Sequence, residues 1–110
     1  MSQVLEIIWL PEVEAEYRAL FRASRDVGAD VGSQIREFVQ LSRRWNSRDW
    51  RSIGPFGSAY LYGLYRLHAT MFFAVCEPKA AVMKWAVTGN EHAQSCARNE
   101  AIKRTSKEFP

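Results

Sequence analysis

Apolar residues along this chain follow two different periods, and the changes of period divide it into strands and helices. Residues 3–9 alternate weakly, which predicts a first strand buried on both faces or nearly so. Pro11 then begins an amphipathic helix over 11–25, and Gly28 is expected to end that segment. Asp30 is a suitable N-cap for a second helix. The apolar face of that second helix is predicted to consist of Val31, Ile35, Phe38, Val39, Ser42 and Trp45.

The second half of the chain contains three strand-like runs in succession. They cover 59–68, 70–76 and 80–88, each rich in aromatic or β-branched residues. The segment 46–58 before them carries glycine and proline and is predicted to be a loop. After the last run, Asn90 is placed to cap a C-terminal helix. The predicted order is therefore β-α-α-β-β-β-α.

This order predicts an α+β fold in a single domain spanning 1–110. The first two helices are expected to pack as antiparallel neighbours on one face of a four-stranded, mainly antiparallel sheet, with the C-terminal helix after it. No apolar run approaches the length of a membrane helix and no signal pattern opens the chain, so we expect a cytoplasmic protein without membrane contact. The spacing of Cys76 and Cys96 fits no metal motif. We therefore expect reduced cysteines, no metal and no cofactor.

The charge of the chain is unevenly distributed, although its formal net value is only +3. Residues 1–30 hold six acids against three bases, which gives −3, and residues 31–110 hold twelve bases against six acids, which gives +6. Such an asymmetry suits a polyanion or an acidic protein as partner.

Alternation along the first of the three runs places Tyr60, Tyr62, Leu64, Arg66 and His68 on one face of the sheet. The opposite face is more apolar and is expected to receive the helices. In the last run Lys84 belongs to the more polar set, so we expect it on the open face as well. Aromatic and basic side chains together suit unstacked RNA bases and phosphates.

Several segments resemble the RelE/ParE toxin superfamily of toxin–antitoxin modules, including its HigB-like and phage-derived members. Residues 7–17 (IIWLPEVEAEY) are similar to the family's first strand leading into an acidic, aromatic helix. The run 59–67, containing Leu-Tyr-Gly-Leu, is similar to its second strand. The apolar run 71–75 and the tail 99–105 complete a likeness that covers nearly the whole chain.

The resemblance implies a metal-free mRNA endoribonuclease that acts at the ribosome and is neutralised by a cognate antitoxin. In such enzymes the RNA 2′-hydroxyl attacks the adjacent phosphate, basic groups stabilise the developing charge, and an acid–base group moves protons. The catalytic residues it implies here are Arg66 and His92. The RNA-binding residues are expected to be Arg48, Arg51, Tyr62, His68 and Lys84.

Two alternatives stay open. Thr70 or Met71 stands where the family's third strand usually opens with an arginine, which favours a non-catalytic protein of the same fold. That protein would be a ParE-like inhibitor of DNA gyrase or a degenerate toxin that only binds an antitoxin. The other alternative is an unrelated α+β domain that uses hydrophobic grooves to form oligomers, such as a homodimer.

Overall fold

The computed structural model describes residues 6–39 and 50–110. The elements are β1 (Glu6–Ile8), α1 (Pro11–Ala23), α2 (Arg25–Val39), β2 (Trp50–Phe56), β3 (Ala59–Tyr65), β4 (Ala69–Cys76), β5 (Lys79–Val87) and α3 (Glu91–Glu108). The strands form one mixed sheet in the order β1-β5-β4-β3-β2. β1 pairs with β5 in parallel, and the other pairs are antiparallel. The predicted α+β class is confirmed.

Within residues 6–39 and 50–110 the sheet has five strands, so the prediction of four is wrong. Part of the predicted loop 46–58 forms β2, which pairs with β3 at the edge of the sheet. Gly54 and Pro55 gave this segment the composition of a loop. At an edge, however, a proline without an N–H loses no ladder hydrogen bond. The register shift between Ser52 and Gly54 leaves Ile53 without a partner, which is a β-bulge directly beside the glycine.

The boundary between the first two helices lies earlier than the sequence indicates. Ser24 is extended, and its hydroxyl accepts a hydrogen bond from the Val27 N–H at 3.5 Å, so Ser24 caps α2. Gly28 therefore does not end α1, and Asp30 is not an N-cap, because both lie inside α2. The predicted helical positions Ser42 and Trp45 lie outside the described residues.

Helices cover both faces of the sheet, which corrects the expectation of one open face. On one face, the ring of Phe38 in α2 lies 5.2 Å from Phe73, and Phe73 stacks on Tyr62. On the other face, Gln94 of α3 donates a hydrogen bond to the Thr70 hydroxyl at 2.9 Å. The face predicted to be open is thus the one that receives α2.

A β-bulge in β5 moves Lys84 to the face opposite the one predicted. Lys84 pairs with Phe72, while Val82 pairs with Phe73, so one extra residue lies between the two pairs. Since directly opposed residues share a face, Lys84 lies on the α3 side and Tyr62 on the α2 side. The sequence prediction matched the more polar sets of the two strands and contained no bulge, so it assigned Lys84 and Tyr62 to one face.

Gln34 joins α2 to the sheet from a fully buried position. Its amide nitrogen donates to the carbonyl oxygens of Leu64 and Ala69 at 3.0 and 2.9 Å. Its amide oxygen accepts a hydrogen bond from the Trp85 indole N–H at 3.2 Å. One side chain therefore connects α2 with β3, β4 and β5.

Replacing Gln34 with methionine, which has a similar volume, leaves the partners of both amide atoms unpaired. We expect Gln34→Met to lower the free energy of unfolding by about 2–4 kcal/mol. Chemical denaturation monitored by tryptophan fluorescence measures the loss. Ser33→Ala, one position earlier on α2, is the control and should change stability by less than about 0.5 kcal/mol. Equal effects of the two substitutions would contradict the assignment.

The end of α3 docks against the turn between β2 and β3. The Ser58 N–H donates to the carbonyl oxygen of Phe109 at 2.8 Å. Gly57 has φ +62° at this turn, and an added Cβ would lie 1.9 Å from the same carbonyl oxygen. Glycine is thus required twice at position 57, by its backbone angle and by the close approach of the chain end.

Gly57→Ala and Gly89→Ala separate those two requirements. Gly89 also has a positive φ, +97°, but an added Cβ there meets no atom within 4 Å. Both variants should lose stability through backbone strain. Gly57→Ala should lose about 1–2 kcal/mol more, because the Ser58–Phe109 hydrogen bond must also break. Thermal unfolding of the two variants side by side measures the difference, and identical midpoint shifts would show that the chain end is not docked.

Candidate functional site

Two of the predicted cationic groups are held by carboxylates. The Arg66 guanidinium pairs with Glu37 of α2, and both side chains are partly buried. The Lys84 ammonium lies 3.1 Å from the carboxylate of Glu16 in α1. Each of these two positive charges therefore faces a carboxylate of an N-terminal helix.

Glu16 is the centre of an ion cluster that sequence reasoning missed. Arg104 of α3 donates two hydrogen bonds to it, at 2.7 and 3.2 Å, and a third to the Met83 carbonyl oxygen at 2.9 Å. Burial raises the pKa of Glu16, but the hydrogen bonds from Arg104 and Lys84 outweigh it and leave the pKa below its usual value. The two partners are 88 positions apart, so no local pattern in the sequence could have revealed the pair.

Tyr62 belongs to an aromatic cluster on the α2 side of the sheet. Its ring lies 5.4 Å from Phe73, 6.4 Å from Trp50 and 5.1 Å from Tyr60. Burial raises the pKa of its hydroxyl. The Tyr62 ring thus packs against three other rings. Of the two tyrosines, Tyr60 is the more exposed, at 38%.

His68 is tied to α2 through its backbone. It lies in the turn between β3 and β4, where its N–H donates to the Asp30 carboxylate at 2.7 Å. This contact positions the turn and leaves the imidazole half-buried. Arg48, the remaining loop residue of the predicted set, lies outside the described residues.

A cleft between α3 and the sheet lies next to two other predicted residues, Arg51 and His92. This α3 cleft has a volume of about 210 Å³, and its lining consists of Tyr65, Phe72, Glu91, Gln94, Ser95 and Arg98. The Arg51 guanidinium lies over the ring of the lining residue Tyr65, 4.8 Å from the ring centre. Gly63 makes this possible, because a Cβ there would lie 2.7 Å from the ring.

His92 lies in the first turn of α3, beside the cleft residue Glu91. Its Nε2 is 3.6 Å from the Cys96 sulfur, and both side chains are exposed. The predicted cap is confirmed, since the Asn90 side chain accepts a hydrogen bond from the Ala93 N–H at 3.0 Å. His92 and Arg51 thus belong to the α3 side of the sheet, whereas Arg66 contacts α2. The two predicted catalytic residues are therefore not brought together.

Tyr65 and Arg98 are the site residues that the sequence interpretation left out. Alternation does place Tyr65 on the side opposite Tyr62, but that side was assigned to helix packing. The neighbouring glycine at position 63 was the available signal, since an aromatic ring two positions away can fold over it. Arg98 carried no signal beyond its place in a basic helix.

The lowered pKa of Glu16 makes the ion cluster sensitive to acid. A carboxylate whose pKa is depressed in the folded state contributes stability above its unfolded value, and loses it as pH falls through the folded value. Glu16→Gln should therefore be less stable than the wild type at pH 7, and the gap should narrow below pH 4.5, the ordinary value for this group. Thermal unfolding across pH 2–7 measures this, with Glu14→Gln on the exposed side of α1 as control. A gap that stays constant with pH would contradict the role given to the Glu16 charge.

In the described ranges, no helix has the length and apolar character needed to cross a membrane. Within the same ranges, no three histidine, cysteine or acidic side chains are grouped as metal ligands.

Comparisons with protein-family models, with curated proteins and with solved structures found no match. The RelE/ParE resemblance therefore stays a prediction from the sequence.

Proposed function

We propose that this chain is a cytoplasmic, RelE/ParE-like protein that binds single-stranded RNA in the α3 cleft without cleaving it efficiently. The observation that carries the proposal is the stacking of Arg51 on Tyr65, a residue that lines that cleft. As a member of a toxin–antitoxin module, it would be bound by a cognate antitoxin. It differs from the non-catalytic alternative given above, whose target is DNA gyrase or an antitoxin alone, because it keeps RNA as the ligand.

The α3 cleft has the kinds of side chain with which proteins bind single-stranded RNA. Guanidinium planes and aromatic rings both stack on unpaired bases, and arginines also bind phosphates. The Tyr65 ring is held between the backbone at Gly63 and the exposed Arg51 guanidinium. A base would therefore stack on the outer face of the guanidinium, which loses little freedom because the ring already holds it. Arg98 adds an exposed positive charge along the same lining, with Ser95 and Gln94 as hydrogen-bonding groups.

Efficient cleavage needs positive groups directed at the charge that develops on the phosphate. The residue implied for that role, Arg66, is paired with Glu37 on the α2 side of the molecule. Lys84 is paired with Glu16. An ion pair offsets the positive charge on each group, and this favours binding over catalysis.

One observation favours a nuclease as second candidate. His92 is exposed beside the α3 cleft, and Arg98 and Arg51 lie on the same side of the sheet. In that candidate His92 would act as the general base, and the two arginines would contact the phosphates on either side of the cleaved bond. Arg66 would have no direct role in it.

A fluorescently labelled RNA of about 12 nucleotides distinguishes the candidates. Fluorescence anisotropy should show saturable binding, and a denaturing gel should show the RNA intact. Arg51→Ala and Arg98→Ala should each weaken binding about tenfold, through the lost stacking and phosphate contacts. Lys103→Ala removes one exposed positive charge from the same helix and should change binding less than about twofold.

The contrary results are equally definite. Cleavage that is abolished by His92→Ala would replace the binding proposal with the nuclease. Equal binding by Arg51→Ala, Arg98→Ala and Lys103→Ala would show that only net charge attracts RNA to the surface.

A further inference from the structure

A thiol and an imidazole lie side by side on the exposed surface of α3. The Cys96 sulfur is 3.6 Å from Nε2 of His92, and both side chains are exposed. Their spacing of four positions places them on one face of the helix. Neither residue lines the α3 cleft. The two residues, called here the α3 thiol–imidazole pair, therefore lie outside the proposed RNA site.

The exposure of Cys96 is unusual for a free cysteine. Free cysteine is among the most buried residue types, because its side chain behaves as a small apolar group. The buried positions of α3 are Ala97, Ala101 and Thr105, so Cys96 adds nothing to the core beneath the helix. Sulfur and imidazole nitrogen side by side at a surface are instead a ligand set for a transition metal.

The separation of the two ligand atoms matches tetrahedral zinc. Zinc binds thiolate sulfur at about 2.3 Å and imidazole nitrogen at about 2.0–2.1 Å. Two such ligands at the tetrahedral angle, about 109°, lie about 3.6 Å apart. The Cys96 sulfur and His92 Nε2 are 3.6 Å apart, so one zinc ion would bind both without changing their separation. Magnesium and calcium do not suit the pair, because they take oxygen ligands.

One chain supplies only half of a zinc site. Structural zinc is almost always bound by four ligands. In the described part of the chain, no third histidine, cysteine or acidic side chain joins the pair in a metal-binding group. The same pair from a second copy would complete a set of two cysteines and two histidines. A twofold axis through the metal needs only one kind of surface, since each copy presents the same residues to the other.

The surface around the pair lets a second helix come close. Ala93, Ser95 and Asn99 are its neighbours one turn away on α3, and all three are short and uncharged. The remaining neighbour is Glu100, whose carboxylate lies 3.3 Å from the Arg104 guanidinium of the same helix. A second copy of α3 therefore meets neither a long side chain nor an uncompensated charge directly beside the pair.

We propose that the α3 thiol–imidazole pair binds zinc, and that one zinc ion joins two copies of this chain. On binding, each Cys96 thiol releases its proton to the solvent and coordinates as the thiolate, and each His92 coordinates through Nε2. Dimerisation should therefore depend on the zinc concentration. This proposal goes beyond RNA binding, because its ligands are a metal ion and a second copy.

A zinc titration of the full-length protein, first freed of metal and kept reduced, tests the proposal. Sedimentation should show a monomer without metal and a dimer with it, at about one zinc ion for two chains. Cobalt(II) as a probe should give thiolate charge-transfer absorption and the intense visible bands of tetrahedral cobalt. Cys96→Ala and His92→Ala should each abolish both the dimer and this spectrum. Both positions are exposed, and circular dichroism should show both variants folded.

The chain contains two cysteines and two histidines, so each ligand has a matched control. Cys76→Ala and His68→Ala remove the same chemical groups elsewhere and should dimerise with zinc as the wild type does. A wild type that stays monomeric with zinc, or a zinc dimer that survives Cys96→Ala or His92→Ala, would overturn the proposal. So would a dimer that forms without zinc and dissociates on reduction, because that dimer is a disulfide. RNA binding measured in EDTA is unaffected by either result.

Discussion

The buried amide of Gln34 is the constraint on which the rest of the structure depends. A polar group taken from water into a core is costly unless every hydrogen bond is replaced. Gln34 replaces them with two carbonyl oxygens and one indole N–H, which belong to three strands. The amide can be satisfied in few other arrangements, so it fixes α2 in position over the sheet. The nearby contacts of Asp30 and Glu37 with the turn between β3 and β4 follow from that placement.

The same placement decides which positive charges are available to a ligand. The sequence shows an excess of basic residues after position 30, but it does not show which of them meet acids from 1–39. Glu16 and Glu37 come from the two acidic helices and hold Lys84 and Arg66. Arg51 stacks on an aromatic ring instead. The two N-terminal helices thus hold one positive charge on each side of the sheet, Arg66 on the α2 side and Lys84 on the α3 side, while the described contacts of Arg51 include no carboxylate.

The elements with strong local signals could be predicted from the sequence, and those set by tertiary contacts could not. The α+β class and the Asn90 cap depend on periodicity and on one capping side chain, and both are confirmed. β2 was missed because Gly54 and Pro55 are tolerated only at a sheet edge, and edge position is a property of the whole sheet. The bulge in β5 reversed the face of Lys84 without any glycine or proline to mark it. Pairing of Arg66 with Glu37 and of Glu16 with Arg104 joins distant positions, which a single sequence does not reveal.

The docking of Phe109 on the turn at Ser58 has a consequence for the motion of α3. The helix follows β5 directly, packs across β5, β4, β3 and β2, and is bonded at its far end to the turn before β3. Because both ends are anchored to the sheet, α3 cannot swing away as a lever about its first turn. Any widening of the cleft beneath it must be accompanied by release of the Phe109 carbonyl. The exchange rate of the Ser58 amide hydrogen with solvent therefore sets an upper limit on how often the two layers separate.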